Sequence, residues 1–306
     1  MRRLVPVLLL ALAGAAQADP WPENCKLHRV ASFPMTLHSR LVTIPVTING
    51  QEKQFMVDTG GYASSVNREV AQALGMRLRN IIRVRIRDAG GKEATSFVKA
   101  DSLRLGQMEA KDIDLMVDEA NGFDGVIAPD LLRNYDVDFD FANLKLNLFQ
   151  PHPCEGKAVY WPSTYAVLPM EITQDGHTRI PVTLDGKGMD AIVDSGASAS
   201  VMPMSAAERF FDLKRDSAKV TRRGELRGGQ GSVIDAYSYP FKTLSFGTVT
   251  ANNPHVLLSD TPNGLSKEHS SLVLGMTELH FLHFYLAYKE HKIYVSAAGL
   301  SAPAGN

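Results

Sequence analysis

Ile44-Pro45-Val46-Thr47-Ile48-Asn49-Gly50 recurs as Ile180-Pro181-Val182-Thr183-Leu184-Asp185-Gly186, 136 residues further on. The same shift carries Met56-Val57-Asp58-Thr59-Gly60 onto Ile192-Val193-Asp194-Ser195-Gly196. Two matched blocks at one offset mark an internal duplication. A third pair, Gly125-Val126-Ile127-Ala128 and Leu272-Val273-Leu274-Gly275, lies at an offset of 147, so the second copy is longer in its middle.

Outward from these blocks the chain reads as strand and turn. Val137–Phe141 with Leu144–Leu148, and Phe284–Tyr288 with Lys292–Val295, are predicted hairpins turning near Ala142-Asn143 and Glu290-His291. Period-two stretches from Leu41 to Ile48 and from Ile82 to Arg87 add strands. One short helix is expected after each Asp block. Asn67 can cap the first, with Val70, Ala71 and Leu74 on its apolar face, and Ser205 to Phe211 is the second. The prediction is an all-β (mainly β) chain of two related lobes, 19–150 and 164–300. A linker at 151–163, marked by Pro151, Pro153, Gly156 and Pro162, joins them, and a flexible tail at 301–306 follows.

In each Asp block an apolar strand ends in a carboxylate, a hydroxyl and a glycine. Glycine permits a sharp turn and a close backbone approach, and the hydroxyl can lock that turn by hydrogen bonding. A duplicated fold carries a pseudo-two-fold axis, and equivalent turns beside it bring Asp58 and Asp194 together. Two carboxylates in contact share a proton and titrate as one unit. Such a pair can deprotonate a water held between them and donate to a carbonyl oxygen, with no metal, cofactor or covalent intermediate.

With these residues in view, the sequence resembles the retropepsin and pepsin superfamily of aspartic proteases, most closely an exported bacterial retropepsin-type protein with two fused units. The resemblance rests on Val57-Asp58-Thr59-Gly60-Gly61, on Val193-Asp194-Ser195-Gly196-Ala197-Ser198, and on Val273-Leu274-Gly275. It implies two closed β lobes with the catalytic pair at their interface and a peptide cleft between them. It also implies that Thr59 and Ser195 bond across the lobes, with Gly60 and Gly196 supporting the turns. Hairpin flaps are expected to cover the peptide, with Ala89, Gly90 and Gly91 in the first unit and Gly228 and Gly229 in the second. The chain departs from the family at Ala128, which stands where the family has Gly and is expected to crowd the Asp58 loop slightly. The first block also reads as one residue longer before Val66 than its counterpart.

Composition sets the remaining bounds. A chain of 306 residues, 44% apolar and 21% charged, is globular rather than disordered, collagen-like or coiled-coil. A formal charge of −1 leaves no basic field for nucleic acid. Arg2-Arg3, the apolar run Leu4–Ala16 and Ala16-Gln17-Ala18 read as a signal peptide, 1–18, cut before Asp19. The run is shorter than the ~20 residues of a membrane helix, so the product is expected in a periplasm or outside the cell, with no stable membrane insertion. An oxidising compartment favours a disulfide between the two cysteines, Cys25 and Cys154. Closing a loop of about 130 residues is worth about 4–5 kcal/mol on the loop-entropy scale.

Other residues take plainer readings. His280 and His283 lack an acidic ligand at zinc spacing and read as surface or packing residues, and no metal is expected. Trp21 and Trp161 are expected to pack near the N-terminus and linker. Residues 19–41 are too short for a folding pro-domain, yet long enough to block a cleft. The expected function is an exported aspartic endopeptidase acting on peptide or protein as a monomeric pseudodimer. The alternatives are a catalytically inactive peptide-binding module of the same fold and a two-carboxylate glycosidase, whose carboxyls would stand at least ~5 Å apart.

Overall fold

The computed structural model describes residues 25–81, 86–88, 91–119, 122–151, 156, 159–161, 164–174, 176–228, 230–260 and 271–299. The expected signal peptide, the tail, Trp21, Cys154, the strand residues 82–85 and the flap residues Ala89, Gly90 and Gly229 lie outside them.

Each unit begins with the repeated block as an antiparallel hairpin. Leu41–Ile48 pairs with Gln51–Val57 across Asn49-Gly50, and Thr178–Leu184 pairs with Lys187–Val193 across Asp185-Gly186. All four turn residues have positive φ, the conformation that suits a two-residue hairpin loop to strand twist. Along Leu41–Ile48 the alternation puts Ile44, Val46 and Ile48 in the core. The last three residues before each catalytic-type turn, Phe55-Met56-Val57 and Ala191-Ile192-Val193, are all buried. They run parallel to Gly125–Ile127 and Leu272–Leu274 and are covered on both faces.

In the first unit the strands form a closed ring. Its order is Leu41–Ile48, Gln51–Val57, Gly125–Ile127, Ser65–Asn67, Met108–Asp118 and Ser96–Leu105, which pairs back to Leu41–Ile48 at Thr47↔Arg104 and Ile48↔Leu103. The second unit follows the same path, but its counterpart of Ser96–Leu105 is split into Val233–Ser238 and Thr243–Phe246. Pro240 lies in the gap, where it donates no ladder hydrogen bond. Thr243–Phe246 returns to Thr178–Leu184 at Thr183↔Ser245.

A six-stranded sheet joins the units, in the order Arg29–Pro34, Lys145–Phe149, Asp136–Asp140, Leu282–Ala287, Lys292–Ala297, Ala166–Pro169. Each half of the chain gives three strands, and both expected hairpins are here. At the centre Phe139 stands opposite Phe284 with ring centroids 4.5 Å apart. One hydrophobic cluster runs from Ile44 and Val57 through Phe139 and Phe284 to Val193 and Leu274. One expectation changes. Arg29–Pro34 is an edge of this sheet and Thr36–His38 pairs with Leu41–Ile48, so residues 29–38 are built into the fold rather than free to block a cleft. Of the two readings open for His283, surface or packing, it takes the second: it is buried, donor or acceptor to Asp138 at 2.8 Å, and stacked on Trp161 at 4.0 Å. Trp161 of the linker thereby seals the outer face of the sheet, its indole N–H donating to Ser296 Oγ at 2.9 Å.

Candidate active site

Each Asp turn hangs on the parallel strand beside it. The Asp58 N–H donates to the Ile127 carbonyl at 2.9 Å and the Asp194 N–H to the Leu274 carbonyl at 3.0 Å. Within the turns the Gly60 N–H donates to Asp58 Oδ1 at 2.9 Å, and those of Gly196 and Ala197 donate to Asp194 Oδ1 at 2.9 Å each.

The two hydroxyls interlock the units. Thr59 Oγ1 donates to the Val193 carbonyl at 2.8 Å and accepts from the Ser195 N–H at 3.0 Å. Ser195 Oγ donates to the Val57 carbonyl at 2.7 Å and accepts from the Thr59 N–H at 3.1 Å. Both side chains are fully buried, so four hydrogen bonds cross the interface without water competing for them. A Cβ on Gly60 would overlap the carboxyl of Asp194, and one on Gly196 would overlap that of Asp58. Only glycine lets the turns approach this closely.

The carboxyl of Asp194 lies against Gly60 and that of Asp58 against Gly196, so the two acids face each other across the interlocked turns. Both residues remain partly exposed, while the surrounding protein removes much of the hydration of their carboxyls. That loss of hydration raises both above the ordinary carboxylate range; the side chain of Asp194 partly offsets it at Asp58. Asp194 is raised further, first by its surroundings and then by the negative charge of Asp58. Two acids raised in this way and facing each other titrate as one unit.

Behind the turns stands a second symmetric layer that the sequence did not reveal. Ser64 Oγ accepts from the Ala128 N–H at 3.0 Å and donates to Asp130 at 2.7 Å. Ser200 Oγ accepts from the Gly275 N–H at 2.9 Å and donates to Glu278. The Ser64 N–H donates to Asp130 at 3.0 Å, and the Ser200 N–H to Thr277 Oγ1 at 2.8 Å. Ser64 and Ser200 are equivalent and stand 136 residues apart, so the first turn has no extra residue before Val66, contrary to the sequence reading. The offset itself was the available signal.

Ala128 does not crowd the Asp58 loop. It is fully buried against Gly61, where an added Cβ would lie 3.3 Å from the Ala128 methyl. In the other unit the loop residue is Ala197 and the partner is Gly275, where a Cβ would overlap the Ala199 carbonyl. The glycine and the alanine have changed places between the two units, and the Gly275 side of the second joint is filled by the loop backbone of Ala197 and Ala199.

The described flap candidates, Gly91 and Gly228, lie at hairpin turns. Thr221–Arg227 pairs with Val233–Ser238, and Gly228 closes the tip through its N–H to the Ser232 carbonyl at 3.0 Å. In the first unit Arg87 pairs with Glu93, and the Gly91 N–H donates to the Asp88 carbonyl at 2.9 Å. Cys25 is buried, and its expected partner lies outside the described residues. Among the described residues no group of three or more His, Cys, Asp or Glu is placed to hold a metal ion, and no helix is long and apolar enough to cross a membrane.

No curated protein matches the sequence. Among solved structures, an aspartic proteinase from Irpex lacteus is similar in fold, with a TM-score of 0.52 at 11% identity over 90% of this chain and 99% of that chain. A family profile described as Aspartyl protease matches residues 44–130 and 180–277, one segment in each unit and together more than half of the chain. With two such segments carrying the two interlocked turns, the chain belongs to the aspartyl protease family.

Proposed function

We propose that this protein is an exported aspartic endopeptidase that hydrolyses peptide bonds with Asp58 and Asp194. The observation that carries the reading is the close approach of the two carboxyls, each seated against the other unit's turn glycine and held there by the Thr59–Ser195 interlock. The ionised member takes a proton from a water in the cleft. The protonated member donates to the carbonyl oxygen as that water adds to the carbonyl carbon. A neutral diol results, and passing a proton to the amide nitrogen releases the two product chains. Rigid turns keep this geometry without reorganisation during the reaction. The contact between the carboxyls also favours this reading over the glycosidase, which needs a wider gap for water or sugar.

Export to a periplasm or the medium is part of the proposal, supported by the charged start, apolar run and small-x-small site of residues 1–18. So is a Cys25–Cys154 disulfide, supported by the burial of Cys25 and by there being no other cysteine in the chain. The pseudodimer is proposed to act as a monomer, since both Asp turns come from one chain.

The test is cleavage of a peptide library by the chain lacking residues 1–18. Asp58→Asn and Asp194→Asn, each folded by circular dichroism, are expected to lose at least about 10³-fold in rate, and a statine-type inhibitor is expected to block the wild type. Cleavage that persists in both variants rules out the dyad. No cleavage by the wild type, with peptides still bound, leaves the inactive binding module.

A further inference from the structure

The hairpin tip of the second unit carries a side chain that its position does not lead one to expect. Most of Thr221–Arg227 is exposed, yet Gln230 at the tip is only 5% exposed. Its side-chain amide donates to Asp118 Oδ1 at 2.9 Å, on the other unit. Asp118 is itself buried, 6% exposed, and its second oxygen accepts from Ser65 Oγ. Ser65 follows Ser64 on the strand leaving the Asp58 turn.

The tip backbone is held as well. Asp88, on the first unit's hairpin, accepts through Oδ2 from the N–H groups of Gln230 at 3.0 Å and Ser232 at 3.2 Å. Its other oxygen accepts from the Lys92 N–H at 2.9 Å and closes its own turn. A Cβ on Gly228 would overlap Asp88 Oδ2, so the tips fit only with glycine there. Three hydrogen bonds to carboxylates thus converge on one tip, and bonds to ionised acceptors are stronger than neutral ones. The arrangement is one-sided. Asp118 stands beside Asn67 as Ser259 stands beside Pro203, and the counterpart of Ser65 is Val201. The second unit has no buried carboxylate at that place to receive a tip from the first.

We propose that Asp88, Asp118 and Gln230 are positioning residues that dock the second unit's hairpin onto the first unit in a single register and so fix the cover over the cleft. The catalytic consequence rests on the endopeptidase reading above; the docking does not. A cover held in register fixes the peptide against the dyad and keeps bulk water out.

The experiment uses the chain without residues 1–18 and the variants Gln230→Ala and Gln230→Glu, the second placing a carboxylate against Asp118. Hydrogen exchange at the Gln230 and Ser232 amides, followed in the Asp58→Asn background, reads docking without catalysis. Exchange is expected to quicken at least about tenfold in both variants with the thermal midpoint unchanged. On a peptide that the wild type cleaves, kcat is expected to fall about tenfold with KM within about threefold, and more for Gln230→Glu. Unaltered exchange overturns the docking. Faster exchange with unaltered kcat overturns the positioning role, and a wild type that cleaves nothing sinks the endopeptidase reading while the exchange result still stands.

Discussion

Asp194 shows what contact between like charges does to a single side chain. Its carboxyl is pushed well above the ordinary range by its surroundings and by Asp58. A native carboxyl so raised binds a proton that the unfolded chain has already released. Its contribution therefore favours the fold below the unfolded value, near 3.8, and is lost as pH climbs through the folded value. Asparagine at the position is neutral throughout. Asp194→Asn is accordingly expected to gain stability relative to wild type as pH rises from about 4 toward neutrality, read from urea midpoints at several pH values. A gap between the two proteins that stays constant across that range would mean that the native pair holds no additional proton. At this scale the sequence was informative, because the offset of 136 placed Asp58, Thr59, Gly60 and their counterparts. Ser64, Ser200 and Glu278 stayed hidden, since a lone serine or glutamate carries no signal until its buried partner is known.

The two Asp turns are the elements where the units differ most instructively. One sets Gly61 against the methyl of Ala128, the other sets Gly275 against the backbone carbonyls of Ala197 and Ala199. Gly275→Ala would force a methyl into the Ala199 carbonyl and is expected to cost about 2–3 kcal/mol. Ala128→Gly removes one methyl from a packed joint and is expected to cost about 1 kcal/mol. Urea denaturation of the two variants checks the order, and equal losses would refute the exchange of the small residue. Strands and hairpins near the repeats were legible from period-two patterning and from Asn67, whose side chain does cap the helix Arg68–Ala73. The short edge strands Arg29–Pro34 and Ala166–Pro169 were not, because each gains its order from a partner far along the chain. The tip contacts of Asp88 and Gln230 were equally silent, being side-chain bonds between hairpins with no shared periodicity.

Across the whole molecule the units are not independent. One hydrophobic cluster spans both, each unit gives three adjacent strands to one sheet, and four buried hydrogen bonds join the turns. Neither unit can unfold without exposing the other's core. Calorimetry is therefore expected to show a single transition with matching calorimetric and van't Hoff enthalpies; two resolved transitions would contradict the shared core. The duplication made two-fold architecture readable in advance. The linker's role was not, since Trp161 seals the sheet by stacking on His283, a histidine more than a hundred residues away that sequence alone left as either surface or packing.

The joint sheet has a further consequence. Its middle pair, Asp136–Asp140 and Leu282–Ala287, comes one strand from each repeat, so a polypeptide of half the length would expose an unsatisfied edge that a second copy of itself could complete. A pair of such half-length chains would lose the meeting of its two Asp turns on dilution, by mass action. Carrying both repeats in tandem frees assembly from abundance, and it lets each copy drift separately, as the unequal tips already have.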